Sequence, residues 1–360
     1  MEVFDVAIAG GGPAGSTCAA FCASADLRTL LLERERFPRE KVCGDCVNPA
    51  CWPVLERLHL RQRVQLLPHA ILEAVEFFAI DGQSVHVDLP SGQKSEIAVK
   101  RSLFDNLLLG RARELGAEVR DATMVSAIRK TSRSWRIRAG ETDFEAHILI
   151  AADGRNSTVA RICNLLPRSQ RERIALQTHI ALPPDFGNRV VLQFLKQGYS
   201  GQAPVNENEL NLCLVAKPRD IEVLKEWAWQ RFAVARDHPW RTITPLTRSP
   251  LPPAHENLFL IGDAARVVEP FTGEGIYYAI RSGELAARAI VKIIGGEDPE
   301  SAIREFSRQH AAIYRGRLWI NQLARAAVMS PRIGSLLVHA ARVQPALLRL
   351  LTAKITGNGD

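Results

Sequence analysis

Three glycines and one acid near the N-terminus are the first residues whose types and spacing suggest chemistry. Gly10, Gly12 and Gly15 stand in the segment Gly-Gly-Gly-Pro-Ala-Gly, and Glu33 follows eighteen residues after the last of them. In such a segment the first glycine permits a tight turn, the second lets the backbone approach a pyrophosphate, and the third allows close helix packing. A carboxylate placed like Glu33 accepts hydrogen bonds from ribose hydroxyls and repels a 2′-phosphate. We therefore expect a dinucleotide with an unphosphorylated adenosine ribose, either NAD or FAD.

The neighbouring residues predict the strand, turn and helix that such a motif needs. Residues 3–9 and 29–32 are short apolar runs, and the stretch 16–25 between them consists mostly of small residues. This order predicts a strand-helix-strand unit with parallel pairing, ending at Glu33. Two later apolar runs, 147–152 and 258–261, also read as buried strands, and each leads directly into a Gly- and Asp-containing turn.

The remainder of the chain alternates between strand and helix patterns. Alternating segments between residues 73 and 99 predict an antiparallel insert, and a mostly β block at about 172–217 is expected to break at Gly198 to Pro204. Helices are predicted for 54–67, 102–115, 221–236 and 275–294, and strands for 118–129, 134–138 and 143–150.

The two later turns carry a family resemblance. Ala151-Ala-Asp153-Gly154-Arg-Asn-Ser and Leu260-Ile-Gly262-Asp263-Ala-Ala resemble the DG and GD motifs of FAD enzymes in the para-hydroxybenzoate hydroxylase superfamily. In that superfamily the aspartate of the second motif hydrogen-bonds the ribityl chain of FAD, which a nicotinamide nucleotide lacks. The resemblance spans about residues 1 to 295 and implies FAD as the cofactor.

Within the superfamily, two segments resemble the geranylgeranyl reductase branch. One is Lys41-Val-Cys43-Gly-Asp, and the other runs from Glu269 to Glu284 and carries Glu274 where aromatic hydroxylases tend to have glutamine. The resemblance places Cys43 in a loop beside the isoalloxazine, where its thiol can shape or protonate the substrate. A buried structural thiol is the alternative for Cys43.

The resemblance also implies the remaining cofactor contacts. Gly273 and Gly275 would let backbone N–H groups approach the flavin pyrimidine edge at the positive end of the following helix, which stabilises an anionic reduced flavin. Arg101 matches a position where family members place an arginine near the cofactor, and a solvated residue at the start of a helix is the alternative for it. The other residues implied to contact the cofactor are Ala14, Arg34, Lys41, Asp153, Gly262, Asp263 and Pro270.

The chain departs from the family on the substrate side. Prenyl reductases typically show Tyr-x-Trp-x-Phe-Pro, and halogenases Trp-x-Trp-x-Ile-Pro, where this chain has Tyr199, Gly201, Ala203 and Pro204. Tyr199 is kept as a second candidate catalytic residue. Since both middle aromatics are missing, we expect neither halogenation nor a substrate limited to geranylgeranyl chains.

The seven cysteines show no disulfide or zinc pattern. Their number is odd, and no second cysteine pair or histidine pair stands at a spacing that would complete a tetrahedral site beside Cys43 and Cys46. We expect reduced thiols and no metal.

Composition and charge limit the classes of protein to which the chain can belong. The chain has 360 residues, 46% of them hydrophobic, which predicts a globular, multi-lobed protein. The N-terminus is acidic and no apolar run approaches the ~18 residues that cross a bilayer, so we expect a cytosolic protein. Residues 301–360 hold nine Lys/Arg against two acids, which accounts for the net charge of +7. Without a recognised nucleic-acid module this excess does not indicate nucleic acid.

The basic tail is predicted to form amphipathic helices. Its apolar positions are Ile333, Leu336, Leu337, Ala340, Val343, Leu347, Leu348 and Leu351, and its basic ones Arg332, His339, Arg342 and Arg349, with a bend at Pro345. One alternative is packing on the FAD domain with solvated arginines. The other is a surface that rests on anionic lipid, at the inner face of the membrane, and admits a lipophilic substrate.

These expectations give an α/β fold: a Rossmann-like FAD-binding domain, a mixed-sheet substrate lobe and a helical C-terminal tail. The FAD domain is assigned to residues 1–45, 96–165 and 255–300, the substrate lobe to 46–95 and 166–254, and the tail to 301–360. The expected function is an FAD-dependent oxidoreductase that acts on a hydrophobic prenyl-, quinone- or polyketide-like molecule through flavin N5 hydride chemistry.

Two other functions stay open. One is an aromatic monooxygenase, in which reduced FAD captures O2 as a C4a-hydroperoxide, and the other is an electron-transfer flavoprotein served by a partner protein. A nicotinamide nucleotide, NAD(P)H, is the candidate reductant, and without a second Gly-x-Gly-x-x-Gly motif it would visit the flavin face only transiently.

Overall fold

The computed structural model of the chain describes residues 2–167, 173–344 and 346. The strands are β1 (Val3–Ala9), β2 (Thr29–Leu32), β3 (Cys46–Val47), β4 (Ala70–Leu72), β5 (Ala74–Phe78), β6 (Ser84–Asp88), β7 (Glu96–Ala98), β8 (Glu118–Arg120), β9 (Val125–Lys130), β10 (Trp135–Ala139), β11 (Thr142–Ala151), β12 (Ile174–Ala181), β13 (Arg189–Leu195), β14 (Gly198–Pro204), β15 (Glu209–Ala216), β16 (Arg241–Ile243), β17 (Ala254–His255) and β18 (Leu258–Leu260). The helices are α1 (Pro13–Ser24), α2 (Trp52–Arg57), α3 (Arg61–Gln65), α4 (Arg101–Glu114), α5 (Thr158–Ile162), α6 (Ile221–Phe232), α7 (Gly275–Ile294), α8 (Pro299–Ala312), α9 (Leu318–Met329) and α10 (Pro331–Val343).

A parallel sheet forms the dinucleotide-binding part. In the described residues it has eight strands, ordered β17-β18-β11-β1-β2-β8, with β10 antiparallel to β11, β9 antiparallel to β10, and β17 antiparallel to β18. Its central strands are continuous apolar runs because both faces are covered, one by α1, α4 and α7 and the other mainly by β9, β10 and α5. α1 and α7 pack closely on one face, where a Cβ on Gly283 would lie 2.4 Å from the carbonyl oxygen of Ala14. Since β1, β11 and β18 are parallel neighbours, their carboxyl ends meet at one edge of the sheet.

The substrate side is built on a second sheet. Its order is β16-β12-β15-β14-β13-β5-β6, seven strands within the described residues, with β5 parallel to β13 and the other pairs antiparallel. A small antiparallel sheet, β3-β7-β4, connects the two larger ones. Residues 47–64, assigned from sequence to the substrate lobe, contribute Trp52 and Leu55 to the core that contains α4 and α7.

Three of the predicted elements were wrong in detail. Gly198 to Pro204 is the regular strand β14 and not a break, because its proline comes last and its first glycine packs against the neighbouring strand. The helix predicted for 54–67 is divided into α2 and α3 by a turn at His59, whose φ is +55°. The strand predicted for 118–129 is interrupted between β8 and β9, where Ala122 has a φ of +50°.

The tail forms helices that lie mainly on the substrate sheet. α8 packs against α7, α9 contacts β14, and α10 contacts β5, β6 and β13. α9 also contacts the turn Pro270–Thr272 of the FAD domain. The expectation that these helices pack on the FAD domain therefore holds for α8, holds in part for α9 and is wrong for α10. Pro345, Leu347, Leu348, Arg349 and Leu351 lie outside the described residues. Within the described ranges, no helix is long and apolar enough to cross a membrane.

Candidate active site

The loop between β1 and α1 has glycines at positions where any side chain would collide with neighbouring backbone atoms. Gly10 has a φ of +106°, and a Cβ there would lie 2.5 Å from the carbonyl oxygen of Ala152 at the end of β11. A Cβ on Gly15 would lie 1.9 Å from the oxygen of Gly10, so the first turn of α1 packs directly on the loop. The N-terminus of α1 therefore presents its unpaired N–H groups to the groove at the edge of the sheet.

Glu33 closes the adenosine end of this groove. Its Oε2 accepts the Gly11 N–H at 2.7 Å and its Oε1 accepts the Glu35 N–H at 2.8 Å. These two bonds fix the carboxylate at the end of β2, where its remaining lone pairs can accept ribose hydroxyls.

The two aspartates of the later turns lie on the other side of the groove. Asp153 Oδ2 accepts the N–H groups of Thr158 and Val159 at 2.6 and 3.1 Å, whereas its buried Oδ1 has no hydrogen-bond partner in the structure. Asp263 Oδ2 lies 3.0 Å from an Nη of Arg155. Burial raises the pKa of Asp153. An unsatisfied buried carboxylate oxygen facing a groove is a position for a ligand hydroxyl.

Positive charge is concentrated between these aspartates and Cys43. Arg39 and Arg101 share the fully buried Asp105, with distances of 2.7 to 3.0 Å. Lys41 stands beside them, and burial together with the charges of Arg155, Arg101 and Arg39 lowers its pKa to about 8. Arg39, Lys41 and Arg101 lie close together, and the carboxylate of Asp105 pairs with the two arginines. Because their positive charges are not fully balanced, this region favours a strongly anionic ligand, such as a pyrophosphate.

The loop after β18 connects the cofactor groove to the substrate sheet. Glu269 forms a buried two-point ion pair with Arg173, at 3.2 and 2.6 Å. Two residues later Phe271 meets the ring of Tyr199 edge-on, with centroids 5.3 Å apart. Glu274 accepts from Arg317 of the tail at 3.0 Å, and burial raises the pKa of this carboxyl. The loop is thus held from both lobes and from the tail.

The Cys43 loop is held by a buried carboxylate. Asp45 Oδ2 accepts hydrogen bonds from Asn211 Nδ2 at 2.5 Å and lies 2.7 Å from His179 Nε2, and the Cys43 carbonyl accepts a second Asn211 hydrogen at 2.8 Å. Arg101 stands on the opposite side. Although burial acts to lower it, the Asp105 carboxylate and the Cys43 side chain hold the pKa of Arg101 above its usual value.

One cavity of about 890 Å³ connects the glycine loop, the cation cluster and the Cys43 loop. It begins at the glycine loop, passes Cys43 and Tyr199, and continues between β13–β15 and the tail helices. Gly15 does not line it, because that glycine packs inside the turn. The residues predicted from sequence that do line it are Gly10, Gly12, Ala14, Glu33, Arg34, Lys41, Cys43, Arg101, Asp153, Tyr199, Gly262, Asp263, Pro270, Gly273 and Gly275.

Several groups at the site had no role assigned from the sequence. Arg39, Asn211 and Cys213 line the cavity, and His179 lies behind the Cys43 loop. The positions of Asn211, Cys213 and His179 depend on pairings between distant strands, and Arg39 lies in an irregular loop, so no local signal marks them. Arg155 directly follows Asp153 and Gly154 of the DG motif, and this position is the signal that could have identified Arg155 as a residue of the site.

The residues present fit FAD. The groove offers a glycine cradle, a carboxylate at its adenosine end, an excess of cations in the middle and the unpaired Oδ1 of Asp153. Within the described residues, no group of three or more His, Cys, Asp or Glu side chains is placed to hold a metal ion.

The comparisons with known proteins agree with this geometry. A family model described as an FAD binding domain matches residues 3–192, which is more than half of the chain. The chain therefore belongs to this family of FAD-binding proteins, and it is an FAD-dependent oxidoreductase.

Two curated relatives are similar over most of their length. The chain is 28% identical over 338 residues to a menaquinone reductase of Mycolicibacterium smegmatis, covering 86% of this chain and 81% of that protein. It is 26% identical over 337 residues to a digeranylgeranylglycerophospholipid reductase of Methanocaldococcus jannaschii, covering 86% and 82%.

Solved structures share the fold at lower identity. The flavin-dependent brominase Bmp2 superposes with a TM-score of 0.80 at 22% identity, covering 97% of this chain and 93% of that one. PqsL of P. aeruginosa, in complex with 2-aminobenzoylacetate, gives a TM-score of 0.80 at 18% identity, covering 93% and 100%. At these identities the likeness concerns the fold alone.

Proposed function

We propose that this oxidoreductase moves a hydride to or from a carbon–carbon bond of a lipophilic prenyl-, quinone- or polyketide-like substrate. The observation that carries the proposal is the continuity of the cavity, which passes from the dinucleotide groove beside Cys43 into a chamber lined mostly by apolar side chains. An apolar chamber favours an apolar substrate because the burial of its surface drives binding. The relatives named as menaquinone and digeranylgeranylglycerophospholipid reductases support the same substrate class.

FAD, when bound, supplies the hydride chemistry at its N5. The chain's own residues bind and orient the reactants. The cation cluster and Glu33 hold the nucleotide, the loop from Pro270 to Gly275 supplies backbone N–H groups, and the apolar chamber excludes water. Cys43 stands between the two compartments, where its thiol can orient the substrate or pass it a proton.

Anaerobic reoxidation tests the proposal. The bound flavin is reduced with dithionite under argon and then mixed with menaquinone or with a prenyl alkene, while its absorbance is recorded. Reoxidation by either compound supports the proposal. Oxygen consumption that an aromatic compound stimulates, without anaerobic reoxidation, would instead indicate a monooxygenase. Electron exchange with a protein donor alone, and with no small molecule, would indicate an electron-transfer flavoprotein.

The reductant is a separate question that the same preparation answers. We propose NAD(P)H visiting the flavin face transiently, or an electron-donor protein such as a ferredoxin. Stopped-flow reduction by NADH and NADPH distinguishes these, because a saturable rate with either nucleotide assigns the role to it.

We also propose that the tail rests on an anionic membrane surface, as a peripheral contact. α10 packs on the substrate sheet through its small or short residues Gly334, Val338 and Ala341, and it leaves Ile333 and Leu336 46% and 66% exposed. Seven of the thirteen large apolar side chains exposed in the described residues lie on α9 and α10. No Asp or Glu occurs between Glu305 and Asp360, so the charged side chains that this part of the tail itself contributes are all basic. Apolar side chains framed by arginines suit an interface of anionic lipid.

Vesicle sedimentation tests this contact. The protein should sediment with phosphatidylglycerol vesicles and much less with phosphatidylcholine, and added salt should weaken the binding. The double variant Ile333→Asp, Leu336→Asp should remain in the supernatant, whereas Val223→Asp, a similarly exposed site on α6, should sediment normally. Equal sedimentation of both variants would exclude this face.

A further inference from the structure

A gap in the middle of the substrate sheet faces the cavity. Leu192 on β13 pairs directly with Gly201 on β14, and Gly201 pairs with Cys213 on β15. Residues paired across neighbouring strands point to the same face, and all three line the cavity. These three paired residues form a row across the sheet, with the side chains of Leu192 and Cys213 at its ends and no side chain at Gly201 in its centre.

The exposure of this row shows that the gap is open. β14 is described throughout, and six of its seven residues are buried, whereas Gly201 is partly exposed. Cys213 is likewise partly exposed, although the three residues on either side of it on β15 are buried. Since β14 and β15 lie in the interior of the sheet, this exposure is exposure to the cavity.

The fold gives no reason for a glycine at position 201. A Cβ there would lie 3.6 Å from Leu192 Cδ2 and 3.9 Å from Cys213 Cβ, which are ordinary contacts, and its φ is outside the left-handed region. Gly198 on the same strand differs, because its Cβ would lie 2.1 Å from the carbonyl oxygen of Val215. A glycine inside a strand costs about 0.5–1 kcal/mol and often marks a place where a ligand approaches the backbone closely.

The gap continues along β14 as a shallow slot. Tyr199, Gly201 and Ala203 lie on one face of the strand because side chains alternate, and all three line the cavity. Tyr199, supported by the ring of Phe271, closes one end, and Ala203 places only a methyl group at the other. With strands ~4.8 Å apart, the rows of Leu192 and Cys213 are ~10 Å apart, which suits the width of a flat ring system.

The slot lies at the reactive end of the cavity. The Cys213 thiol donates to the Cys43 carbonyl at 3.5 Å, so the edge of the slot adjoins the loop beside the cofactor groove. Burial raises the pKa of Cys213, which keeps this thiol protonated and neutral. The tail helices α9 and α10 form another part of the cavity wall, through Ala324, Ala327 and Val338.

We propose that the slot at Gly201 seats a planar ring of the substrate, quinone-like or aromatic, flat against β14, while the aliphatic part of the molecule lies along the part of the cavity wall formed by α9 and α10. This inference rests on the proposed function and deepens it, because it requires that the lipophilic substrate carry a ring. A purely linear prenyl chain would leave the slot unfilled.

Two probes that separate the ring from the chain test the inference on FAD-loaded protein. Menadione is a naphthoquinone ring without a tail, and farnesol is a prenyl chain without a ring. Their dissociation constants are measured from the change in flavin absorbance and fluorescence for the wild type, Gly201→Val and Ala324→Leu. Ala324 is the matched control, since a leucine there adds similar volume at the part of the wall formed by the tail helices.

We expect opposite effects from the two variants. Gly201→Val should weaken menadione about tenfold or more and change farnesol less than about twofold, and Ala324→Leu should do the reverse. Gly201→Ala, which adds one methyl at ordinary contact distances, should bind FAD normally and weaken menadione by a smaller factor, so the test survives if valine disturbs folding.

The possible outcomes distinguish a failure of the ring site from a failure of the proposed function. If the wild type binds farnesol but not menadione, or if Gly201→Val binds menadione as tightly as the wild type does, the slot is not a ring site and the proposed function stands. If the wild type binds neither probe, the lipophilic substrate class fails as well, and the inference fails with it.

Discussion

The carboxylate of Asp45 lies 2.7 Å from Nε2 of His179, although 134 residues separate them in the chain. Asp45 is fully buried with a φ of +62°, and it also accepts from Asn211. A carboxylate on the loop that carries Cys43 is thereby tied to two strands of the substrate sheet. The position of Cys43 depends on the pairing of the two lobes through this contact.

Removing this carboxylate should loosen the loop. Asp45→Ala removes the acceptor that faces His179 Nε2, one hydrogen of Asn211 Nδ2 and the Arg101 backbone N–H, and we expect it to lower the free energy of unfolding by about 3 kcal/mol. Asp45→Asn keeps an acceptor and tolerates the left-handed backbone, so it should lose less than half of that. Urea unfolding followed by tryptophan fluorescence measures both, and equal losses for the two variants would contradict the role given to the carboxylate.

Asp263 should control the affinity for FAD. Its carboxylate lies in the cavity beside Arg155, so Asp263→Ala removes a charge-assisted contact and should weaken FAD binding about tenfold or more, with the fold largely intact. The flavin content of purified protein and a titration of the apoprotein measure this effect. Asp143→Ala, which breaks an exposed ion pair with Arg138, is the control. Normal flavin occupancy in Asp263→Ala would refute the assignment.

Cys43 should affect turnover and not cofactor binding. Cys43→Ser retains a small polar side chain but is a much weaker acid, so we expect normal FAD content and a rate of substrate reduction about a hundredfold lower. Cys163→Ser, which lies outside the cavity, should react like the wild type. Single-turnover reoxidation of the reduced flavin is the measurement. Unchanged kinetics in Cys43→Ser would show that the Cys43 thiol has a structural role and not a catalytic one.

Glu96 should make the protein less stable as the pH rises toward neutrality. Burial, with a further contribution from the charge of Glu274, raises its pKa to about 7, and Cys46 and Cys51 are the other titratable groups beside it. The folded state therefore holds a proton that the unfolded state has already released, and stability falls between about pH 4.5 and 7 by up to ~3 kcal/mol.

The variant Glu96→Gln should remove this dependence. It should melt at a higher temperature than the wild type at pH 8, and the difference should shrink toward pH 5. Differential scanning calorimetry across this range, with Glu207→Gln on the surface as control, measures it. A constant difference between pH 5 and 8 would show that Glu96 does not titrate there.

The parts of the site that could be predicted from sequence are those whose residues are neighbours in the chain. The glycine loop, Asp153 and Asp263 each follow a strand directly, and parallel strands bring such turns to one edge. The position of Gly15 inside the turn, away from the cavity, also agrees with its predicted role in helix packing.

The parts that could not be predicted depend on pairing between distant strands. Gly198 to Pro204 has the residue types of a loop, and it becomes a strand because Gly198 fits against the backbone of Val215. The Gly201 slot depends on the same register, since Leu192 and Cys213 become its walls only after three strands have paired. No local pattern carries that information.

Lys41 should take up a proton when FAD binds. Burial and the charges of Arg155, Arg101 and Arg39 lower its pKa to about 8, and a pyrophosphate placed among these cations would raise it again. At pH 8 about half of the apoprotein carries a neutral Lys41, so binding should take up about 0.5 proton, and this number should approach zero toward pH 6.5. Calorimetric titration of apoprotein with FAD in buffers of different ionisation enthalpy gives the number directly. Lys41→Met should abolish the uptake and Lys196→Met, on the surface, should not; an uptake independent of pH would show that the pyrophosphate lies elsewhere.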